Sequence, residues 1–208
     1  MEKIKKFIIE NKRAILFFIC IIIFLSILED VFEYGILKSD IEVYKFINEN
    51  FINDTNTNIF KFITNLGGAF VLIIIAILSL CLIRDKKLAL TVPLNLVIIT
   101  ILNNVLKYIV QRERPNELRL VNETSYSFPS GHSMISMAFY GYFIYLIYKY
   151  VKNKYIKSAL IALLSCLIVL IGFSRIYLGV HYTSDVLSGF VISIAYLILF
   201  TSIVKKIR

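Results

Sequence analysis

Apolar runs alternate with short polar segments along the whole chain, and the length of those runs decides which helices they predict. Residues 14–28, 69–83, 88 to about 110, 134–148, 158–173 and 186–204 are each apolar over most of their length. A bilayer-crossing helix needs about 20 residues. Snorkelling Lys12 and Arg13 can lengthen the effective span of the first, fifteen-residue run. The pattern therefore predicts an all-α polytopic membrane protein, a bundle of six transmembrane helices. The first run follows a basic stretch, as a cleaved signal would, but it ends in Ser26 to Asp30 with no A-x-A-like site, so a retained helix is expected. Between the first two runs, residues 29–68 are polar yet studded with Phe and Ile. The spacing of Phe46, Ile47 and Phe51, and of Ile59, Phe60 and Ile63, predicts short amphipathic helices lying at the interface. That region reads as packing, with no substrate residue in it. No repeat, low-complexity tract or internal boundary is visible, which makes 1–208 a single integral membrane domain.

Composition supports this picture. Hydrophobic residues make up 58% of the chain and charged ones 18%, against about 25% charged in soluble domains. A net charge of +9 raises the question of nucleic acid. The basic residues are scattered between apolar runs and form no stripe, so no nucleic-acid partner is expected. Cys20, Cys81 and Cys166 lie inside apolar runs without metal-binding or CxxC spacing, and read as buried structural thiols.

Loop charge orients the helices. The amino terminus, the 84–87 turn, the 149–157 loop and the carboxy terminus together hold fifteen basic residues and three acids. The opposite segments, 29–68, 107–133 and 174–185, hold eight basic residues and eleven acids. Both termini are thus expected in the cytoplasm of a plasma-membrane protein, with the second set of segments outside.

All the candidate chemistry falls on that outer side. In residues 174–185, SRIYLGVHYTSD, His181 and Asp185 are four apart, so a helix beginning near His181 would place them on one face. A carboxylate there can hold an imidazole in the orientation a nucleophile or base requires. In residues 107–115, KYIVQRERP, Lys107 and Arg114 are seven apart and would project from one face of a helix that Pro115 stops. Arg112 and Arg119 read as surface charge. In residues 129–132, PSGH, a helix start offers free N–H groups and a positive dipole end to an anion. Gly131 allows close approach, Ser130 adds a donor, and His132 can exchange a proton. Taken singly, each stretch also suits a plain role: a basic flank, a helix cap, a structural His–Asp bond. Their joint placement favours a phosphate site. Lys107, Arg114 and Arg175 would neutralise a phosphoryl group, and Ser130 with the Gly131 N–H would complete the cradle. No Asp/Glu cluster is available for Mg²⁺ and two separate histidines make a poor zinc set, so neither metal nor other cofactor is expected.

The three stretches, in order, match Lys-x6-Arg-Pro, Pro-Ser-Gly-His and Ser-Arg-x5-His-x3-Asp. The chain resembles the type 2 phosphatidic acid phosphatase and vanadium haloperoxidase superfamily. It looks most like its small bacterial phosphatidylglycerophosphate and undecaprenyl pyrophosphate phosphatases. The resemblance implies that His181 attacks phosphorus to form a phosphohistidine while Asp185 holds it. His132 would protonate the leaving oxygen and then activate water. Lys107, Arg114, Ser130, Gly131 and Arg175 would bind the phosphoryl oxygens of a lipid phosphate or pyrophosphate. A lipid phosphotransferase of the same superfamily is the second enzymatic reading. An anion or lipid transporter is the alternative from another class, and would not require both histidines.

Overall fold

The computed structural model describes residues 2–116 and 119–206, and all of its regular structure there is helical. Glu117 and Arg208, both counted in the loop-charge argument, lie outside the described residues. The helices are α1 (Glu2–Tyr34), α2 (Lys38–Phe51), α3 (Asp54–Leu66), α4 (Ala69–Leu82), α5 (Lys86–Val110), α6 (Gly131–Tyr150), α7 (Lys154–Tyr177) and α8 (Thr183–Lys206). The polar turns start helices as well as separate them. Asp85 accepts from the Leu88 N–H at 3.1 Å, and Asn153 accepts from the Tyr155 and Ile156 N–H groups at 2.9 and 3.1 Å. Each satisfies first-turn donors that have no partner inside the helix.

Among the described residues, four helices can by length and composition cross a membrane: the 10–34 part of α1, α5, α7 and the 183–205 part of α8. α3 and α4 add a fifth crossing if taken as one span bent by 42° at Gly67–Gly68. The expected count of six is not reached on these grounds. α6 falls short because its first half carries His132, Ser133 and Ser136 among its apolar residues. The segment expected to form short interfacial helices between the first two spans forms α2 and α3, and α3 pairs with α4 across the Gly67–Gly68 bend as one candidate span.

α6 packs against α5, α7 and α8, while α1 lies on α8, α3 on α7, and α4 on α5. The main core joins Leu72, Val92, Phe139, Tyr142, Ile171 and Phe200. Large apolar side chains such as Phe70, Leu82 and Leu163 point outward, as a protein solvated by lipid tails allows. Of the three cysteines expected to be buried only Cys20 is, Cys81 and Cys166 lying on the outer faces of their helices. Glycines bring the helices close. A Cβ at Gly189 of α8 would sit 3.2 Å from both the Met134 nitrogen and the Ser130 carbonyl oxygen, so α8 rests directly on the first turn of α6. Deeper in, a Cβ at Gly172 of α7 would come 2.3 Å from the Phe190 ring of α8.

Gly172→Leu is accordingly expected to cost about 1–3 kcal/mol by overpacking. Leu163→Ala, on the outer face, should stay within about 0.5 kcal/mol of the parent. Thermal unfolding of both variants in one detergent makes the comparison, and equal melting temperatures would contradict this packing.

Candidate active site

α5 stops at Val110, earlier than the proline at 115 requires. Gln111 takes a left-handed conformation (φ 51°), its N–H bonding back to Lys107, and residues 111–116 and 119–130 then have no regular structure. Lys107 and Arg114 therefore do not share a helical face as expected from their spacing. The loop brings them together instead. Lys107 donates from Nζ to the Tyr126 carbonyl and, at 3.4 Å, to that of Ser127. Arg114 donates from Nε to the Ser125 carbonyl at 2.6 Å and from Nη2 to the Ser125 hydroxyl at 3.0 Å. The backbone of 125–127 thus holds both cations in place, and both are buried.

His181 lies in the turn between α7 and α8, two residues before α8 begins. Gly179 makes that turn at φ 67°, a conformation open to glycine without a Cβ penalty. Asp185 sits in the first turn of α8 with its Oδ2 3.4 Å from His181 Nδ1. The same Oδ2 accepts from the Ser127 hydroxyl at 2.5 Å and the Tyr182 N–H at 2.9 Å. On the far side of the ring, Arg114 Nη1 lies 3.1 Å from His181 Nε2. A guanidinium can only donate, so Nε2 is the acceptor and the proton belongs on Nδ1, toward the carboxylate. Burial pushes the imidazole from the usual 6.5 down to about 3, outweighing the upward pull of Asp185. Burial likewise lowers Arg114 to about 10, which leaves it a cation at neutral pH. The ring is neutral, with its lone pair on Nε2 against a cation.

The PSGH stretch closes the site from α6. Ser130 is the N-cap, but its side chain caps nothing; its hydroxyl accepts from Ser133 at 2.9 Å. Its N–H donates to the Asp185 carbonyl at 3.0 Å, joining the starts of α6 and α8. A Cβ at Gly131 would meet Asn103 Oδ1 at 3.1 Å and Lys107 Cε at 3.8 Å, so Gly131 nests against α5 just where Lys107 leaves it. His132 is partly exposed; Arg175, His181, Arg114 and Lys107 are the charged or titratable groups it feels. Arg175, in the last turn of α7, donates from Nη1 to Thr64 of α3 at 2.7 Å and from Nη2 to Glu123. All eight residues singled out in the sequence converge on one end of the bundle.

Other members of the site escaped the sequence reading. Arg112 is not surface charge. It is buried, donating to Asp185 Oδ1 at 2.6 Å, Asp40 Oδ2 at 2.9 Å and the Gly35 carbonyl at 2.8 and 3.0 Å, with its guanidinium 4.2 Å from the Tyr182 ring centroid. Asp40, in a region read as packing alone, also accepts from the Ser184 N–H at 2.8 Å and hydroxyl at 2.7 Å. An acid three residues into α2 looks like a helix-start residue, and nothing in its spacing points to residue 185. Arg119, by contrast, is exposed, as read. Among the described residues no group of three or more His, Cys, Asp or Glu is placed to hold a metal ion.

The sequence profile of the PAP2 superfamily matches residues 88–208, the half of the chain that contains every motif above. The chain belongs to the PAP2 superfamily. It is 40% identical over 115 residues to phosphatidylglycerophosphatase B of Bacillus subtilis, a stretch covering 52% of this chain and 54% of that protein, about half the relative's length. It is 31% identical over 159 residues to the undecaprenyl-diphosphatase of Sulfolobus acidocaldarius, covering 74% of this chain and 72% of that one. The fold matches the crystal structure of a transmembrane PAP2-type phosphatidylglycerolphosphate phosphatase from Bacillus subtilis with a TM-score of 0.82 at 28% identity, over 95% of this chain and 98% of the other. Aquifex aeolicus LpxE matches with a TM-score of 0.64 at 27% identity, over 80% of this chain and 99% of that one. This PAP2 chain is a multi-pass membrane protein.

Measurements of stability and of protonation check the site. Because the folded ring resists a proton that the unfolded chain accepts, stability should fall as pH drops from about 6.5 toward 3. The chain has two histidines, so His132→Gln leaves a single imidazole. Its ¹⁵N signals should report a neutral Nδ1–H ring at pH 5, and an imidazolium there would contradict the geometry. Arg112→Ala strands two buried carboxylates and should cost about 3–5 kcal/mol. Arg112→Lys, which keeps the charge but loses the fork, should retain part of that stability in the same unfolding measurement.

Proposed function

We propose that the chain is a membrane lipid phosphatase: one phosphatase domain over 1–208 that cleaves a phosphate monoester or pyrophosphate from a lipid. The observation that carries this is the His181 ring held between Asp185 and Arg114, its Nε2 3.1 Å from the cation that would hold the phosphoryl group. His181 Nε2 attacks phosphorus as the bond to the leaving oxygen breaks. That oxygen takes a proton from His132, which burial keeps neutral in the empty site and which must gain its proton beside the negative charge of the bound substrate, and departs as the lipid alcohol or lipid monophosphate. His132 then accepts a proton from water as the water oxygen attacks phosphorus and the P–N bond breaks, releasing phosphate. Lys107, Arg114, Arg175, Ser130 and the Gly131 N–H stabilise the charge on the equatorial oxygens. Proximity and electrostatics supply the catalysis, and the proposal uses no metal.

Two cavities support a lipid substrate. One, of about 650 Å³, is mainly apolar, lined by Val31, Phe32, Ile36 and Ile41 with Asp40, Lys45 and Asn48 among them, and reaches His181 and Arg114. The other, of about 340 Å³, is lined by polar groups including Arg119, Glu123 and Ser125. Arg112, Glu113, Arg114 and Asn116 border both. The apolar cavity suits the chain of a phosphatidylglycerophosphate or undecaprenyl pyrophosphate type of lipid, and the polar one suits the departing phosphate. Loop charge puts this end of the bundle outside the cytoplasm, with both termini inside.

Phosphate release from the purified protein, assayed in EDTA over a panel of lipid phosphates and pyrophosphates, tests the reading. His181→Ala should abolish turnover and His132→Ala should lower it about 10²–10⁴-fold. A requirement for Mg²⁺, or full activity without either histidine, would overturn it. Cleavage of a protease site inserted near Asn122 from the cytoplasmic face alone would reverse the proposed orientation.

A further inference from the structure

Two of the three cations assigned to the phosphoryl group already have an anion between them. Glu123 places Oε1 on Arg175 Nη2 and Oε2 3.9 Å from Arg114 Nη2. Its two oxygens are thus divided between two guanidiniums, as two equatorial oxygens of a phosphoryl group would be. The Arg114 and Arg175 side chains are 5% and 2% exposed, while that of Glu123 is 27% exposed. Glu123 belongs to the irregular 119–130 segment and forms part of the wall of the polar cavity. It can leave by turning its own side chain outward, whereas Arg114 and Arg175 are held by other partners.

The contrast with Asp185 is informative. That carboxylate is fully buried and fixed by donors from Arg112, Ser127, Tyr182 and His181. Among the described residues Glu123 pairs with Arg175 and Arg114, groups the reaction needs for something else. Arg175 Nε, moreover, is buried with no partner, so its guanidinium keeps a donor in reserve. An empty site with two buried guanidiniums and no counter-charge would be unfavourable. An anion lent by the loop removes that penalty and must be surrendered when substrate arrives.

We infer that Glu123 is the resident counter-ion of the phosphoryl site, and that binding exchanges its carboxylate for the phosphate of the substrate. The same exchange run backwards helps expel product phosphate. This rests on the phosphatase reading above. It predicts that Glu123 weakens anion binding, opposite in sign to the effect of a residue that merely shapes the cradle. If the paired arrangement holds about nine-tenths of the empty protein, removing it tightens anion binding about tenfold.

The test uses the full-length protein in detergent, with inorganic phosphate and orthovanadate as probes, read by anion-dependent thermal shift and by inhibition constants. Glu123→Gln should bind both anions about tenfold tighter, show a lower KM, and melt below the parent when no anion is present. Glu123→Asp, which keeps the charge but shortens its reach, should fall between and serves if the glutamine protein does not fold. Equal or weaker anion binding in a folded variant, with the parent binding normally, overturns the counter-ion role alone. Failure of the parent to bind either anion would overturn the phosphatase reading itself.

Discussion

The site depends on the burial of one carboxylate. Asp185 is inaccessible to solvent, and its oxygens accept from Arg112, Ser127, the Tyr182 N–H and His181. Its own carbonyl takes the Ser130 N–H. These bonds tie the start of α8 to the loop after α5, to the turn that carries the nucleophile candidate, and to the start of α6. A buried charge of this kind is tolerable only when its partners are all present, so each partner is held as firmly as Asp185 needs it. Through Arg112 the demand extends to Asp40 and the end of α1 at Gly35.

Geometry around that carboxylate explains why three remote stretches can act together. Helix starts supply two of them, where the first N–H groups have no partner within the helix and chain direction is set by a small residue or a cap. The third is a helix end, after which the chain folds back so that carbonyls at 125–127 hold the two cations. Close contact between α8 and α6 at Gly189 keeps the two helix starts level with each other. Lipid solvation of the outer faces leaves the bundle interior as the place where polar groups can be satisfied, and the polar end of α6 lies there.

Much of this was legible in the sequence. Six apolar runs gave the helical bundle, and spacing picked out Lys107, Arg114, Ser130, Gly131, His132, Arg175, His181 and Asp185. What spacing could not reveal was where α5 ends. A proline at 115 permits helix to that point, yet the left-handed Gln111 stops it at Val110, so the reason given for pairing Lys107 with Arg114 was wrong although the residues do meet. A basic residue beside a span, as Arg112 is, normally belongs to the surface, and its partner at residue 40 lies on a helix whose pattern shows only an amphipathic face. Glu123 had no periodic context at all. Such pairings are set by how loops fold over the bundle, which local patterns do not encode. The same holds for the membrane crossings, where α3 and α4 join across a bend and α6 is too polar to qualify by composition.

Arg112, Glu113, Arg114 and Asn116 line both the mainly apolar cavity and the polar one, and this shared border has a consequence for how a split lipid phosphate would come apart. Its hydrocarbon fragment would find solvent of its own kind on the side it came from, and inorganic phosphate would find water on the other. Neither fragment would have to cross the medium that repels it. The reaction would then end in a separation of phases, so that recombination needs both fragments to return from opposite directions.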